Sequence, residues 1–378
     1  MLFQCDRPEL AIAAVLAGLT PSLLGWACHL TAPTNADKPQ SRCSERDDFV
    51  LDLSSVPADV VVADLKSTGH EAPWLSIVIP VRGKENELWF TLQGLLNAGL
   101  EAGIEVLVVD NEPSKDVRDV CESFGRPGLR YLEAGTVKGV NYPRSFGASV
   151  ARGQWLLMLD SHVLMKPGSF ALLRERIRSG VYPAKSLIHF GVSFGSPEIW
   201  GAYRLTLESN FWGTWHHLVD TNEPDPYPIG ATGNWALLTR LSDWVSIGGF
   251  NDAFRGYGGD EIYLQLKYWQ SGGQVLLDPQ ISGSHWSGPR AYGVTPMELV
   301  VNTAIAGRVV VGSSFLARFG DALVAHYCDK GLKSDAVHSA LHRGVLQAQL
   351  SDELTTPRQW SRSFDDVLAH WRDFRIPV

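Results

Sequence analysis

Short apolar runs alternate with segments of helical periodicity along the first half of the chain. Ser76-Ile77-Val78-Ile79-Pro80 is a β-branched run that ends at a loop, which predicts a buried strand. Leu88, Leu92, Leu95 and Leu96 then recur at helical spacing, and Gly99 and Gly103 close the segment, so a helix is expected over 88–100. Val106-Leu107-Val108-Val109 predicts a second strand ending in Asp110. Residues 114–124 read as a helix, Leu129-Arg130-Tyr131-Leu132 as a third strand, and 144–151 as the opening of another helix. Trp155-Leu156-Leu157-Met158-Leu159 predicts a fourth strand, ending in Asp160. This alternation defines an α/β fold with a mostly parallel sheet flanked by helices.

The flanks differ. Leu10 to Cys28 is uncharged, but Ala and Gly dilute it, Thr20-Pro21-Ser22 cuts it, and Asp6, Arg7 and Glu9 precede it. It therefore fits two short helices better than a membrane span or a signal peptide. Residues 31–48 read as a polar connector. Met297 to Leu350 has the periodicity of two or three helices, and Ser363 to Phe374 of one more. The expected organisation is a helical N-terminal extension over 1–70, an α/β unit over 71–290 and an α-helical region over 291–378.

Composition narrows the function. Of 378 residues, 45% are hydrophobic and 20% charged, enough apolar side chains for a sizeable core, which excludes wholesale disorder. The 36 Gly and 21 Pro follow no period, which excludes collagen-like and repeat architectures. A net charge of −8 argues against a protein that coats nucleic acid with a basic face, though not against a nucleic-acid substrate in a local groove. Cys5, Cys28, Cys43, Cys121 and Cys328 are too few for a disulfide scaffold and fit reduced thiols in a soluble, cytoplasmic protein. Cys5, Cys28, His29 and Cys43 are crowded soft ligands, but their spacing matches no standard zinc pattern, and buried free thiols are the simpler account. The chain carries 13 Trp, among them Trp200, Trp212, Trp215, Trp235, Trp244, Trp269 and Trp286, which mark a heavy core or a stacking surface for flat ligands.

In sheets of this kind, ligands gather outside the carboxyl ends of the strands, where Asp110 and Asp160 fall. One such acid can simply cap the following helix; two at one rim point to a site. Neither Gly-x-Gly-x-x-Gly nor Gly-x-x-x-x-Gly-Lys-Ser/Thr is present, which disfavours a dinucleotide dehydrogenase and removes the P-loop NTPases.

Over roughly residues 74–290 the chain resembles the GT-A-fold nucleotide-sugar glycosyltransferases of the family-2 kind. The strand Ser76 to Val81, which contains Pro80, is similar to the opening strand of that group. The resemblance implies nucleobase contact for Asp110. Its Arg-Asn-x-Gly segment is matched imperfectly by Arg144-Ser145-Phe146-Gly147, and its Asp-x-Asp motif by Asp160-Ser161-His162. The final His departs from the usual motif and matches the Asp-x-His form of the polypeptide N-acetylgalactosaminyltransferases. His285, in Gly283-Ser284-His285-Trp286, stands where these families place a late third ligand. The implied metal set is Asp160, His162 and His285; the adjacent pair His216-His217 is a weaker alternative. A divalent metal suits the chemistry, since a nucleoside-diphosphate leaving group needs its charge neutralised. Imidazole tilts the choice towards Mn²⁺ over Mg²⁺.

A second stretch of resemblance runs from Ile247-Gly248-Gly249-Phe250-Asn251 through Gly256-Tyr257-Gly258-Gly259-Asp260-Glu261 to Gly272-Gly273, with the usual acid pair inverted. It implies that Glu261 takes the acceptor hydroxyl proton and that Asp260 contacts sugar hydroxyls. Acids at a helix start are also favoured by the macrodipole alone. Gly230-Ala231-Thr232-Gly233-Asn234-Trp235 falls where related enzymes line the donor and acceptor cleft, so Trp212, Trp215 or Trp235 is either a stacking platform or core.

The resemblance thus implies a metal-dependent glycosyltransferase with a UDP-sugar donor. Pro80, Asp110, Arg144, Asp160 and Trp235 are its candidate nucleotide-site residues. The acceptor carries a hydroxyl on a glycan, protein, small molecule or modified nucleobase, with no stable membrane insertion. Inversion fits a base at Glu261, whereas the Asp-x-His motif belongs to a retaining group. Two other readings use the same residues: a nucleotidyltransferase, for which Val81-Arg82-Gly83-Lys84 is only a fragment of the expected basic loop, and a non-catalytic sugar- or nucleotide-binding module.

Overall fold

A computed structural model describes residues 72–205, 213–219, 222–286, 293–351 and 360–372. The N-terminal extension with Cys5, Cys28, His29 and Cys43 lies outside the described residues, as do Trp212 and the side chains of Trp215, His216 and His217.

Strand β1 (Leu75–Val81) pairs in parallel with β2 (Ile104–Asp110) on one side and β4 (Trp155–Leu159) on the other, and β2 pairs in parallel with β3 (Leu129–Glu133). Every residue of β1, β2 and β4 is buried, which is why each reads as a continuous apolar run. Ile77 and Ile79 join one core and Val78 the other, so alternate side chains serve opposite faces of the sheet. Two polar residues of this interior, Ser76 and Glu105, satisfy each other. Ser76 Oγ donates to Glu105 at 2.6 Å, and Glu105 is also held by Arg152 and Arg130.

Helices α1 (Glu85–Asn97), α2 (Lys115–Phe124) and α3 (Asn141–Val150) connect these strands. Helix α1 begins at Glu85, ahead of the apolar spacing from which it was read. Helix α3 lies unusually close to the sheet. A Cβ on Gly147 would stand 2.4 Å from Val78 Cγ1, so only glycine permits that approach, and Arg144 sits one turn earlier on the same helix.

The chain then continues through β5 (Val163–Met165), α4 (Ser169–Ser179), β6 (Ser186–Ser193), β7 (Trp200–Leu205), β8 (Gly213–Leu218), β9 (Tyr227–Pro228), β10 (Ala236–Arg240) and α5 (Leu241–Ile247). Helix α6 (Asp260–Gln270) and β11 (Gln274–His285) follow. The main path of the sheet is β3-β2-β1-β4-β10-β6-β11-β5. The parallel set is as the alternation predicted; β10 enters antiparallel between β4 and β6, and β11 returns parallel to β6.

The C-terminal helices are α7 (Pro296–Val310), α8 (Phe315–Asp329), α9 (Ser334–Leu350) and α10 (Phe364–Arg372). Thr295, Pro296 and Glu298 form a capping box with proline in the first turn, which fixes where α7 starts. These helices do not form a separate layer. Val300, Ala304, Phe315, Val337 and Val367 share one core with Val78 and Met158 of the sheet and with Tyr263 and Leu264 of α6. All described residues fall within one unit, Val61–Val378.

Candidate active site

Asp160 leaves the carboxyl end of β4, and its amide donates to the Trp235 carbonyl at 2.9 Å, which fixes it between β4 and β10. His162 lies in the turn to β5. Strand β5 pairs antiparallel with the end of β11, with His285 opposite Val163, and the Trp286 amide donates to the His162 carbonyl at 2.9 Å. Two residues more than a hundred positions apart are thereby brought side by side. The rings of His162 and His285 meet edge to face at 4.6 Å, and His285 Nε2 is 3.2 Å from Asp160 Oδ2. One ligand atom from each of Asp160, His162 and His285 lies within 4.8 Å of the others.

These residues fit a divalent cation. The Nδ1 atoms of His162 and His285 are buried without a hydrogen-bond partner, a costly arrangement that an ion would relieve. One carboxylate and two imidazoles form a mixed hard and borderline donor set, suited to Mn²⁺ more than to Mg²⁺. Burial pushes the His162 imidazole down to about 4 and Asp160 opposes this, so the ring is neutral near pH 7 and its lone pair is available. Burial alone would raise the Asp160 carboxyl, but Arg144 and His285 outweigh it and hold it well below the usual carboxylate range.

Arg144 is the hub behind the metal triad. Its Nη2 donates to Asp160 Oδ1 at 2.6 Å and to the Asn234 carbonyl at 2.7 Å, and its Nη1 is 4.0 Å from Asp260 Oδ2. The acid pair at the start of α6 divides between two environments. Asp260 is buried, and burial raises its carboxyl against the pull of Arg144. Glu261 is only half-buried, and its Oε1 accepts from the Asn234 amide at 3.4 Å. The loop before β10 is tied to α6 a second time by Gln265, which bonds both the amide and the carbonyl of Thr232.

The five candidate nucleotide-site residues separate clearly. Arg144 and Asp160 meet at the metal triad; the side chains of the other three are buried away from solvent. Asp110 is fully buried. Its Oδ1 accepts from the Glu112 amide, and its Oδ2 accepts from the Ser114 amide and the Tyr131 hydroxyl, so both oxygens shape the turn after β2. Trp235 is 4% exposed and packs beneath β11, where a Cβ on Gly283 would stand 2.9 Å from its ring. Pro80 is buried inside β1, opposite Val109. In all three cases the side chain is buried in the sheet or its turns. Trp244 and Trp269 likewise belong to the core.

Sequence reasoning missed several neighbours of the site. Phe194 is 36% exposed and meets the His285 ring edge to face at 5.7 Å. Glu87, Thr91 and Gly94 form one stripe of α1 at helical spacing, and Lys84 is the N-cap before it. Thr91 Oγ1 accepts from the Val163 amide, and Gly94 receives the Leu164 side chain, so the stripe lies along the segment after His162. Lys84 pairs with Glu87 at 3.2 Å, and its charge opposes protonation of His162. The spacing was legible; its orientation towards the site was not. Arg82 pairs with Glu112, so both cations of the loop after β1 already have acidic partners.

A GT-A-like sheet bearing an acid and two histidines at its carboxyl edge defines the class of site. Residues 76–236 match the family model "Glycosyl transferase family 2". The curated relatives are polypeptide N-acetylgalactosaminyltransferases. Number 11 of Drosophila melanogaster, which carries the designation inactive, is 31% identical over 186 residues, covering 46% of this chain and 32% of the relative. Number 12 of Mus musculus is 27% identical over 243 residues, covering 57% of this chain and 40% of the relative. The chain thus spans well under half the length of either. Among solved structures, GalNAc-T7 with UDP, GalNAc and Mn²⁺ matches with a TM-score of 0.56 at 16% identity, over 74% of this chain and 56% of that one. This is a likeness of fold.

Proposed function

We propose that the chain is a metal-dependent glycosyltransferase that moves a sugar of the N-acetylhexosamine class from a UDP-sugar to an acceptor hydroxyl, with polypeptide hydroxyls as the favoured acceptor class. The observation that carries this reading is the convergence of Asp160, His162 and His285 within 4.8 Å, backed by Arg144 and Asp260. The relatives' names, and the UDP, GalNAc and Mn²⁺ in the GalNAc-T7 structure, support the donor and acceptor classes. A relative designated inactive shows that similarity alone does not decide activity, so the weight rests on this chain's own ligands.

Asp160, His162 and His285 would hold the ion, which when bound supplies a Lewis acid for the diphosphate leaving group. Arg144 orients Asp160, fixing one carboxylate oxygen so that the other faces His285. Asp260 stays within the ionic network around Arg144. Glu261, one position further on and half-buried, is the acid left to take the acceptor hydroxyl proton.

The test is turnover of UDP-GalNAc and UDP-GlcNAc with and without Mn²⁺, on wild type and Asp160→Ala. Metal-dependent release of UDP by wild type, absent in the variant, is expected. No metal-dependent turnover or binding with any UDP-sugar would overturn the proposal.

A further inference from the structure

The geometry points to Asn302, on α7, as a positioning residue for the glycine-rich loop that presents Asp260 and Glu261, an inference that rests on the function proposed above. Apart from one isolated parallel bridge between Gly256 and Gly139, the loop from Arg255 to Gly259 belongs to neither helix nor sheet, and Gly256, Gly258 and Gly259 all take left-handed backbone (φ 66°, 91° and 79°). Such a segment lacks the ladder that satisfies a strand's amides and carbonyls, so its shape depends on what else bonds them.

Asn302 supplies that partner. It is 1% exposed, and its Nδ2 donates to the Arg255 carbonyl at 2.6 Å and to the Tyr257 carbonyl at 3.1 Å. Its Oδ1 accepts from the Arg255 amide at 3.3 Å. One side chain thus takes the place of a neighbouring strand for the first half of the loop. The backbone of α7 limits the second half, since a Cβ on Gly259 would lie 2.8 Å from the Asn302 carbonyl. Gly259 is the N-cap of α6, and the next residue is Asp260.

Glu298, one turn earlier on α7, secures the other end. A Cβ on Gly256 would lie 2.7 Å from Glu298 Oε2, and Lys138 Nζ donates to Glu298 Oε1 at 2.5 Å. The Gly256 amide donates to the Lys138 carbonyl at 3.0 Å, which closes the ring of contacts. Residues 298 and 302 are four apart, so both stand on one face of α7. The C-terminal helices, whose role the sequence left unassigned, therefore supply the mould in which the acid-bearing loop is cast. A loop displaced by an ångström would carry Asp260 away from Arg144, and misplacement on that scale costs about 100-fold in rate.

The test compares Asn302→Asp and Glu298→Gln with wild type. Asn302→Asp keeps shape and acceptor but sets a carboxylate against two carbonyl oxygens; Glu298→Gln releases Lys138 from a half-buried site. Expected for Asn302→Asp is a fall in kcat on the order of 100-fold, with Mn²⁺ and UDP dissociation constants within about threefold of wild type and KM little changed. Glu298→Gln should give a smaller fall of the same kind. Amide hydrogen exchange should accelerate at Gly258, Gly259 and Asp260 and stay unchanged in β1 and β4. Wild-type kcat in Asn302→Asp, or metal and UDP affinity falling in step with kcat, would overturn the inference. If Asn302→Asp does not fold, Glu298→Gln decides, and unchanged kcat together with unchanged loop exchange would overturn it. A wild type inert towards UDP-sugars would sink the proposed function, while the exchange measurement would still judge the loop.

Discussion

Arg144 donates to Asp160 across 2.6 Å from a helix held against the sheet by a glycine, so the packing of α3 on β1 sets the position of the first metal-ligand candidate. Arg144 is 2% exposed and Asp160 is partly open, so the pair has a dry side and a side that faces the site. The dry side strengthens the interaction, and the open side leaves Asp160 Oδ2 free to face His285.

Arg144→Lys should weaken Mn²⁺ binding by roughly 10- to 100-fold, the usual effect of removing an outer-shell partner. Lysine carries the charge but lacks the planar fork that meets Asp160, the Asn234 carbonyl and Asp260 together. Calorimetric titration with Mn²⁺ checks this, and wild-type affinity would show that Asp160 is positioned by something else.

Asp260→Asn and Glu261→Gln should part company kinetically. Asp260 lies in the network around Arg144, so its amide variant should lose both UDP-sugar hydrolysis and transfer. Glu261→Gln should lose transfer by about 100-fold, within the usual range for a general base, while keeping Mn²⁺ binding and slow hydrolysis. Equal loss of hydrolysis and transfer in Glu261→Gln would argue against its role as base.

Gly147→Ala should destabilise the fold by about 1–3 kcal/mol, the usual penalty for forcing a methyl group into a filled core. The added carbon would meet Val78 Cγ1, and relief requires α3, with Arg144, to move outward. Urea unfolding measures the loss. Mn²⁺ affinity should fall with it, because the same movement breaks the bond to Asp160.

Acid should destabilise the protein below pH 6.5, in part through His189. This residue of β6 is fully buried, and burial pushes its imidazole down to about 3 against an ordinary value of 6.5. Between those values the unfolded chain binds a proton that the folded one refuses, so stability rises with pH across the window and is lost as pH falls. His189→Met should flatten the slope by up to about 1.4 kcal/mol per pH unit, as read from urea unfolding at pH 7 and pH 5. An unchanged slope would mean that His189 does not carry the effect.

The parallel strands were legible because strands buried on both faces read as unbroken apolar runs. Asp160, His162 and His285 were legible as a set through the resemblance, since they fall in order where that family places its metal ligands. Burial was the part that local sequence did not carry. Asp110, Pro80 and Trp235 are of suitable type and position to meet a nucleotide, yet the sheet and its turns enclose all three. The antiparallel entry of β10 and the pairing of β5 with β11 are long-range and left no local periodicity. Asn302 gave no signal either, since a lone amide in an apolar helix acquires meaning only once the loop it holds is seen. The helical periodicity was read from Met297, and the capping box of Thr295 and Glu298 starts α7 one residue earlier, at Pro296.

Binding of Mn²⁺ in the presence of UDP, followed by calorimetry or electron paramagnetic resonance on wild type, His162→Ala and His285→Ala, tests the central claim most directly. The predicted result is one saturable Mn²⁺ site in wild type, strengthened by UDP and lost or weakened at least about 10-fold in each variant, with the variants otherwise folded. Mn²⁺ binding that is unchanged by either substitution, or that does not respond to UDP, would contradict the account.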